Sequence, residues 1–120
     1  MAIASDTAAK VARRYWQLLG QPDRTMFITR ENAYHGMHVA GTSLAGIDAN
    51  ASGYGTLVAD VARVAWDSAD ALRDAIDAAT PERVAAFFCE PVIGAGGVFA
   101  APEGYLEGIR SICREAGVLF

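Results

Sequence analysis

The apolar residues of this chain recur with two spacings, one typical of helices and one typical of buried strands. Helical spacing predicts helices over residues 7–20, 68–79 and 103–116, and we also expect a helix over 37–44. Short runs rich in β-branched and aromatic residues predict strands at 25–29, 61–65, 84–90 and 118–120. Because helices and strands alternate, the pattern predicts an α/β fold with a mostly parallel sheet flanked by helices.

The first predicted helix carries an apolar stripe that we expect to face the core, formed by Val11, Tyr15, Leu18 and Leu19. Asp6 stands where a capping residue for this helix is expected, and Asp67 has the same place before the helix over 68–79. Residues 47–56 contain two glycines among small polar residues, which predicts a loop.

The best candidate for a functional site lies at the end of the predicted strand 84–90. This run is apolar on both faces until Glu90, and Pro91 then ends the strand by removing a backbone donor. Glycines follow at positions 94, 96 and 97, and glycine lets the backbone approach a ligand closely. Because ligands of open α/β sheets bind just outside the carboxyl ends of the strands, we expect a ligand near Glu90. Tyr34 follows the predicted strand 25–29, so we expect Tyr34 and Glu90 to converge at one rim of the sheet.

Composition and charge narrow the classes of partner. The chain has 120 residues, enough for one domain, and its net charge of −4 argues against nucleic acid or an anionic membrane as partner. No segment has the ~18–20 consecutive apolar residues of a membrane span or the apolar core of a secretory signal. Cys89 and Cys113 fit buried thiols in a reducing cytoplasm, which is the location we expect.

Two other ligand classes have weaker support in the sequence. The glycines after Glu90 resemble part of a dinucleotide-binding fingerprint, but Phe99 stands where its third glycine is required. His35 and His38, three residues apart, could share a metal ion, but no third ligand converges with them in the sequence. We therefore expect neither a dinucleotide nor a metal site.

Three segments in register give the chain a family resemblance. Residues 30–47 (RENAYHGMHVAGTSLAGI) and 88–97 (FCEPVIGAGG) resemble class III aminotransferases, the pyridoxal-phosphate enzymes of fold type I. The opening helix around residues 6–16 (DTAAKVARRYW) resembles the family helix that follows the phosphate-binding turn. The resemblance implies that residues 1–120 are an internal fragment of the large pyridoxal-phosphate-binding domain, missing both flanks.

The resemblance also assigns roles to individual residues. It places the ring of Tyr34 flat on the pyridine ring of the cofactor, with Gly36 allowing close approach and His35 orienting the neighbouring groups. It places Glu90 in the hydrogen-bond network beside the cofactor ring. Ala95 lies at a substrate-pocket position where relatives acting on ornithine-like substrates or 4-aminobutyrate often carry an acid, so this alanine resembles the amine- and ω-amino-acid:pyruvate subgroup.

One departure from the family concerns the lysine that holds the cofactor as a Schiff base. The only lysine of this chain is Lys10, on the polar side of the first predicted helix, so no catalytic residue is assigned. The resemblance implies a homodimeric parent enzyme that moves an amino group between an amine or ω-amino acid and a keto acid. For the 120-residue chain itself we expect inactivity, weak cofactor binding at most, and self-association. The alternative is a non-enzymatic α/β module that binds a ligand or partner.

Overall fold

A parallel sheet forms the centre of the protein in the computed structural model, which describes residues 2–120. Its strands, in spatial order, are β2 (Val61–Val64), β1 (Met26–Arg30) and β3 (Val84–Phe87). Strand β1 pairs in parallel with both neighbours, and Leu119 adds a parallel bridge to Ala86 on the outer side of β3. A separate antiparallel hairpin consists of β4 (Val92–Ile93) and β5 (Phe99–Ala100).

The helices flank this sheet and confirm the predicted α/β fold. They are α1 (Ala2–Leu18), α2 (Val39–Leu44), α3 (Asp48–Ala51), α4 (Ala69–Ala79) and α5 (Tyr105–Ala116), with a 3-10 turn at Pro81–Arg83. Across residues 2–120, every helix falls short of the length and apolarity that a membrane span requires. The predicted loop over 47–56 contains α3, and the predicted strand over 84–90 ends at Phe87. Ser68, not Asp67, caps α4 by accepting a hydrogen bond from the amide of Ala71 at 3.1 Å.

Two apolar cores lie on opposite faces of the sheet, because successive strand residues point to opposite faces. On one face, Ile28 of β1 packs among buried residues of α4 and α5, such as Leu72 and Ile109. On the other face, Phe27 packs against α1 and α2, where Trp16 and Leu44 are buried. The central strands are therefore covered on both sides, which explains their continuous apolar character.

The predicted inward stripe of α1 was wrong. Val11 and Leu18 are 56% and 66% exposed, whereas Ala9, Ala12 and Trp16 are buried against the sheet. The inner side of α1 thus combines two small alanines with one tryptophan, whose Nε1 donates a hydrogen bond to the Ala85 carbonyl of β3 at 2.9 Å. The bulky aliphatic side chains are consequently left on the outside of the helix.

A further contact of α1 replaces its predicted cap. Asp6 lies within α1, and its carboxylate accepts hydrogen bonds from the amides of Ala40 and Gly41, both at 2.9 Å. These amides belong to the first turn of α2, where a negative charge is favourable. Asp6 therefore connects α1 to α2 instead of capping its own helix.

The outer side of α1 borders an apolar groove of about 590 Å³, which we call the α1 groove. It is lined by Ala8, Val11, Ala12 and Tyr15 of α1, by residues 86–89 at the end of β3, and by Leu119 and Phe120. Much of this lining is apolar surface that α1 and the sheet edge leave uncovered.

Candidate functional site

The candidate site is the edge of the sheet where β1 and β3 end, which we call the rim. Because the two strands are parallel, the loops that follow them start at the same edge. The amide of Tyr34, after β1, donates a hydrogen bond to Glu90 Oε1, after β3, at 2.9 Å. The amide of Gly94 donates to the other carboxylate oxygen at 3.3 Å. The predicted convergence of Tyr34 and Glu90 is therefore confirmed.

The loop that carries Tyr34 is held by its backbone. The amide of Gly46 donates to the carbonyl of Ala33 at 2.8 Å, which ties the loop to the end of α2. A Cβ atom at Gly41 would press against the carbonyl oxygen of His35, so glycine is required for α2 to lie this close. Gly36 is buried with φ +104°, a conformation that favours glycine.

A cavity of about 340 Å³ opens beside this loop. Its lining combines two tyrosines with small and polar residues, namely Tyr34, Gly36, Met37, Thr42, Ala49, Asn50, Ser52 and Tyr54. Its volume lies within the range of small-molecule sites, roughly 300–1,000 Å³. A planar ligand with polar substituents suits such a mixed lining.

The β4–β5 hairpin forms another part of the rim. Its turn contains Gly96, where a Cβ atom would collide with the carbonyl oxygen of Asn32 in the loop after β1. The glycines of this segment therefore allow two loops to pack backbone against backbone. Ala95 is exposed in this turn, next to Gly94 and its contact with Glu90. The substrate-pocket role of Ala95 stays a prediction.

His35 is buried beneath the rim, with 8% of its surface exposed. Its ring meets Phe88 edge to face, with 5.9 Å between the ring centroids. Burial lowers the pKa of His35, an effect that the charge of Glu90 opposes and that of Arg30 reinforces. Within the described residues, the buried Nε2 of His35 has no hydrogen-bond partner.

Arg30 is a buried residue next to the rim that the sequence analysis did not single out. It ends β1 and is only 1% exposed. Its guanidinium donates to the carbonyl of Trp66 at 3.1 Å and to the carbonyl of Glu90, and it lies 5.2 Å above the ring of Tyr105. A charged residue at the last position of a core strand was the available signal, because such a charge needs partners inside the fold.

A reactive thiol, a Schiff-base lysine and a metal site each have little support at the rim. Burial raises the pKa of Cys89, which therefore stays a neutral thiol at ordinary pH. Lys10 is exposed on α1. Within residues 2–120, no three His, Cys, Asp or Glu side chains are grouped as metal ligands. The candidate ligand-binding residues at the rim are therefore those in the loops that follow β1 and β3.

Comparison with known proteins gives consistent matches. The family model of class III aminotransferases matches residues 2–120. An acetylornithine aminotransferase from Rhodobacter capsulatus is 37% identical over 97% of this chain and 28% of its own length. An omega-amino acid–pyruvate aminotransferase from Pseudomonas putida is also 37% identical, over 94% of this chain and 29% of its length.

A solved structure agrees with the sequence matches. An amine transaminase from an uncultivated Pseudomonas species, in its PLP-bound form, superimposes with a TM-score of 0.93 at 31% identity, over 98% of this chain and 30% of that one. The chain thus spans less than a third of the length of these relatives. With a family match along residues 2–120 and this structural likeness, the chain belongs to the class III aminotransferases.

Proposed function

We propose that the rim is part of the pyridoxal-phosphate site of an aminotransferase that moves an amino group between an amine or ω-amino acid and a keto acid such as pyruvate. The observation that carries this proposal is the hydrogen bond from the Tyr34 amide to the Glu90 carboxylate. It brings together two residues 56 positions apart, each of which the family resemblance assigns to the cofactor. Family membership along residues 2–120 supports the same function.

The residues at the rim fit pyridoxal phosphate. Tyr34 is half-buried beside the 340 Å³ cavity, where its ring offers a face for a planar ligand. Gly36 leaves space for close approach, and the unpartnered Nε2 of buried His35 can meet a polar substituent. When bound, pyridoxal phosphate supplies an electron sink for carbanion chemistry. The task of Tyr34 and Glu90 is to hold and orient the ring.

The proposed donor class depends on Ala95. A relative named for acetylornithine and one named for omega-amino acids are both 37% identical to this chain, so sequence identity does not distinguish the two substrate classes. The family resemblance associates an acid at position 95 with ornithine-like substrates and 4-aminobutyrate, whereas the alanine leaves this part of the rim uncharged. We therefore assign the chain to the amine- and ω-amino-acid:pyruvate subgroup.

A second part of this proposal is that the chain is a segment of a longer enzyme. We infer that residues 1–120 are part of a larger pyridoxal-phosphate-binding domain, because they correspond to 28–30% of the relatives' length. The family resemblance favours a homodimeric parent, and the free cysteines Cys89 and Cys113 favour the cytoplasm. Lys10 lies on the exposed side of α1 and is a poor candidate for the Schiff-base lysine. The isolated chain should therefore be inactive. A non-enzymatic binding module is the second candidate, favoured by the open apolar α1 groove.

Titration of the purified chain with pyridoxal phosphate, followed by absorbance and fluorescence, tests this proposal. We expect weak binding that Tyr34→Ala weakens roughly fivefold, since aromatic stacking contributes about 1 kcal/mol beyond burial. Tyr34→Phe should bind like the parent chain, and Tyr15→Ala, which changes a tyrosine on α1, is the matched control. The proposal fails if the chain shows no saturable binding, or if Tyr34→Ala and Tyr15→Ala behave alike. Turnover of 1-phenylethylamine with pyruvate above the free-cofactor background would contradict the expected inactivity.

A further inference from the structure

We propose that Arg30 is a positioning residue of the rim, which sets the place of the Glu90 carboxylate and, through it, of the Tyr34 loop. This inference deepens the proposed function and rests on it for the identity of the ligand. Its geometric part concerns only residues of this chain.

The environment of Arg30 is unusual for a charged side chain. With 1% of its surface exposed, it has lost the water that would otherwise solvate the guanidinium. A buried charge is tolerated when hydrogen bonds replace that water. Two carbonyl groups do so for the terminal nitrogens, that of Trp66 after β2 for Nη1 and that of Glu90 after β3 for Nη2, and the ring of Tyr105 adds a cation–π contact. Among the described residues Nε has no hydrogen-bond partner. Arg30 thus joins the ends of all three strands.

The contact with Glu90 links Arg30 to the candidate site. Arg30 binds the backbone carbonyl of Glu90, which leaves both oxygens of the Glu90 side chain free for other donors. Those oxygens accept from the amides of Tyr34 and Gly94, in the two loops that form the rim. The rigid guanidinium of Arg30 therefore holds the backbone of Glu90, while the two loops bind the side-chain carboxylate of the same residue.

Direct binding of an anionic ligand is a different role, and the geometry disfavours it. Two donors of the guanidinium already bind carbonyl groups, and the side chain has almost no exposed surface for a ligand to reach. The guanidinium also lies over Tyr105 of α5, which belongs to the core on the α4–α5 face of the sheet. The position of Arg30 indicates an effect through Glu90 and not a contact with substrate.

Amide hydrogen exchange of the full chain tests the geometric part without any ligand. In Arg30→Met we expect the Tyr34 amide to exchange at least tenfold faster than in the parent chain. The amide of Phe88, which donates to Ile28 across the sheet at 2.9 Å, should change less than threefold. Arg63→Met is the matched control, because Arg63 of β2 also donates to a backbone carbonyl, that of Ala45, away from Glu90. Should Arg30→Met not fold, Arg30→Lys, which keeps the charge but not the fork, carries the same expectation. Equal acceleration at Tyr34 and Phe88, or no change at Tyr34, overturns the proposal.

A double-mutant cycle tests whether Arg30 acts through Glu90 when pyridoxal phosphate binds. We expect Arg30→Lys and Glu90→Gln each to weaken binding about tenfold, and the double variant to bind no more weakly than the weaker single variant. A hundredfold loss in the double variant would mean that the two residues act independently and would overturn the coupling. If the parent chain binds no pyridoxal phosphate, the proposed function fails, while the exchange experiment still decides the geometric role of Arg30.

Discussion

The rim and the α1 groove are built from opposite kinds of surface. At the rim, the Glu90 carboxylate and the Arg30 guanidinium find hydrogen-bond partners within the chain itself. At the α1 groove, Val11 and Phe120 remain 56% and 58% exposed, and the lining is mainly apolar. The Glu90 carboxylate and the terminal guanidinium nitrogens of Arg30 are already paired by local contacts, although Arg30 Nε and His35 Nε2 have no partner among the described residues. The apolar surface of the groove, in contrast, remains exposed.

This difference follows from the range over which the two kinds of interaction act. A hydrogen bond needs one partner at the right distance, and two loops at one sheet edge can supply it. Hydrophobic burial grows with the area removed from water, so a groove bordered by one helix and one sheet edge stays open until more protein covers it. We therefore expect the rim to keep its geometry in the isolated chain, and the groove to determine how the chain behaves in solution.

The largest expected effect is on stability, and it differs between the buried inner side of α1 and its exposed outer side. Trp16→Ala should lower the free energy of unfolding by about 3–5 kcal/mol, because a large buried side chain leaves a cavity. It also removes a hydrogen bond from Trp16 Nε1 to the Ala85 carbonyl and the ring on which Arg24 stacks at 3.9 Å. Leu18→Ala, on the exposed side, should change stability by no more than about 0.5 kcal/mol. Urea unfolding followed by circular dichroism measures both, and similar losses would contradict this division of α1.

The next effect concerns self-association through the α1 groove. The parent chain should associate at micromolar concentration, and Val11→Gln combined with Phe120→Gln should raise its dissociation constant about tenfold, equivalent to roughly 1.4 kcal/mol. Met37→Gln is the control, since it removes an exposed apolar residue outside the groove. Sedimentation velocity decides the matter. A compact parent monomer that binds no hydrophobic dye and melts cooperatively would show that the groove needs no cover.

The smallest expected effect is a dependence of the free energy of unfolding on pH, caused by His35, which is buried beneath the rim. Burial lowers the pKa of His35 from its ordinary value of 6.5, so the unfolded chain binds this proton more readily than the folded chain. Stability should therefore fall as the pH drops below about 6.5, despite the opposing charge of Glu90. His35→Phe should flatten the change in unfolding free energy between pH 7.5 and 5.5, with His38→Phe as control. A parallel pH profile in His35→Phe and the parent chain would contradict this origin.

The sequence predicted the meeting of Tyr34 and Glu90 better than it predicted the packing of α1. Glu90 and Tyr34 could be placed at one rim because both follow strands that were predicted to be parallel, and the carboxyl ends of parallel strands meet at one edge. The inward side of α1 was assigned to its bulkiest apolar residues, although the fold buries alanines there. Periodicity identifies an apolar stripe, but it does not show whether that stripe is buried in the core or exposed at the surface.

By itself, the sequence determined the alternation of helices and strands, the break after Glu90 and the family resemblance, since these depend on local composition and order. Only the tertiary structure decided which side of α1 is buried, that Asp6 binds the first turn of α2, and that Arg30 connects the strand ends beneath Glu90. Each of these facts depends on how closely two segments distant in the sequence approach each other. That distance is set by the packing of the whole sheet, and no local pattern of residues encodes it.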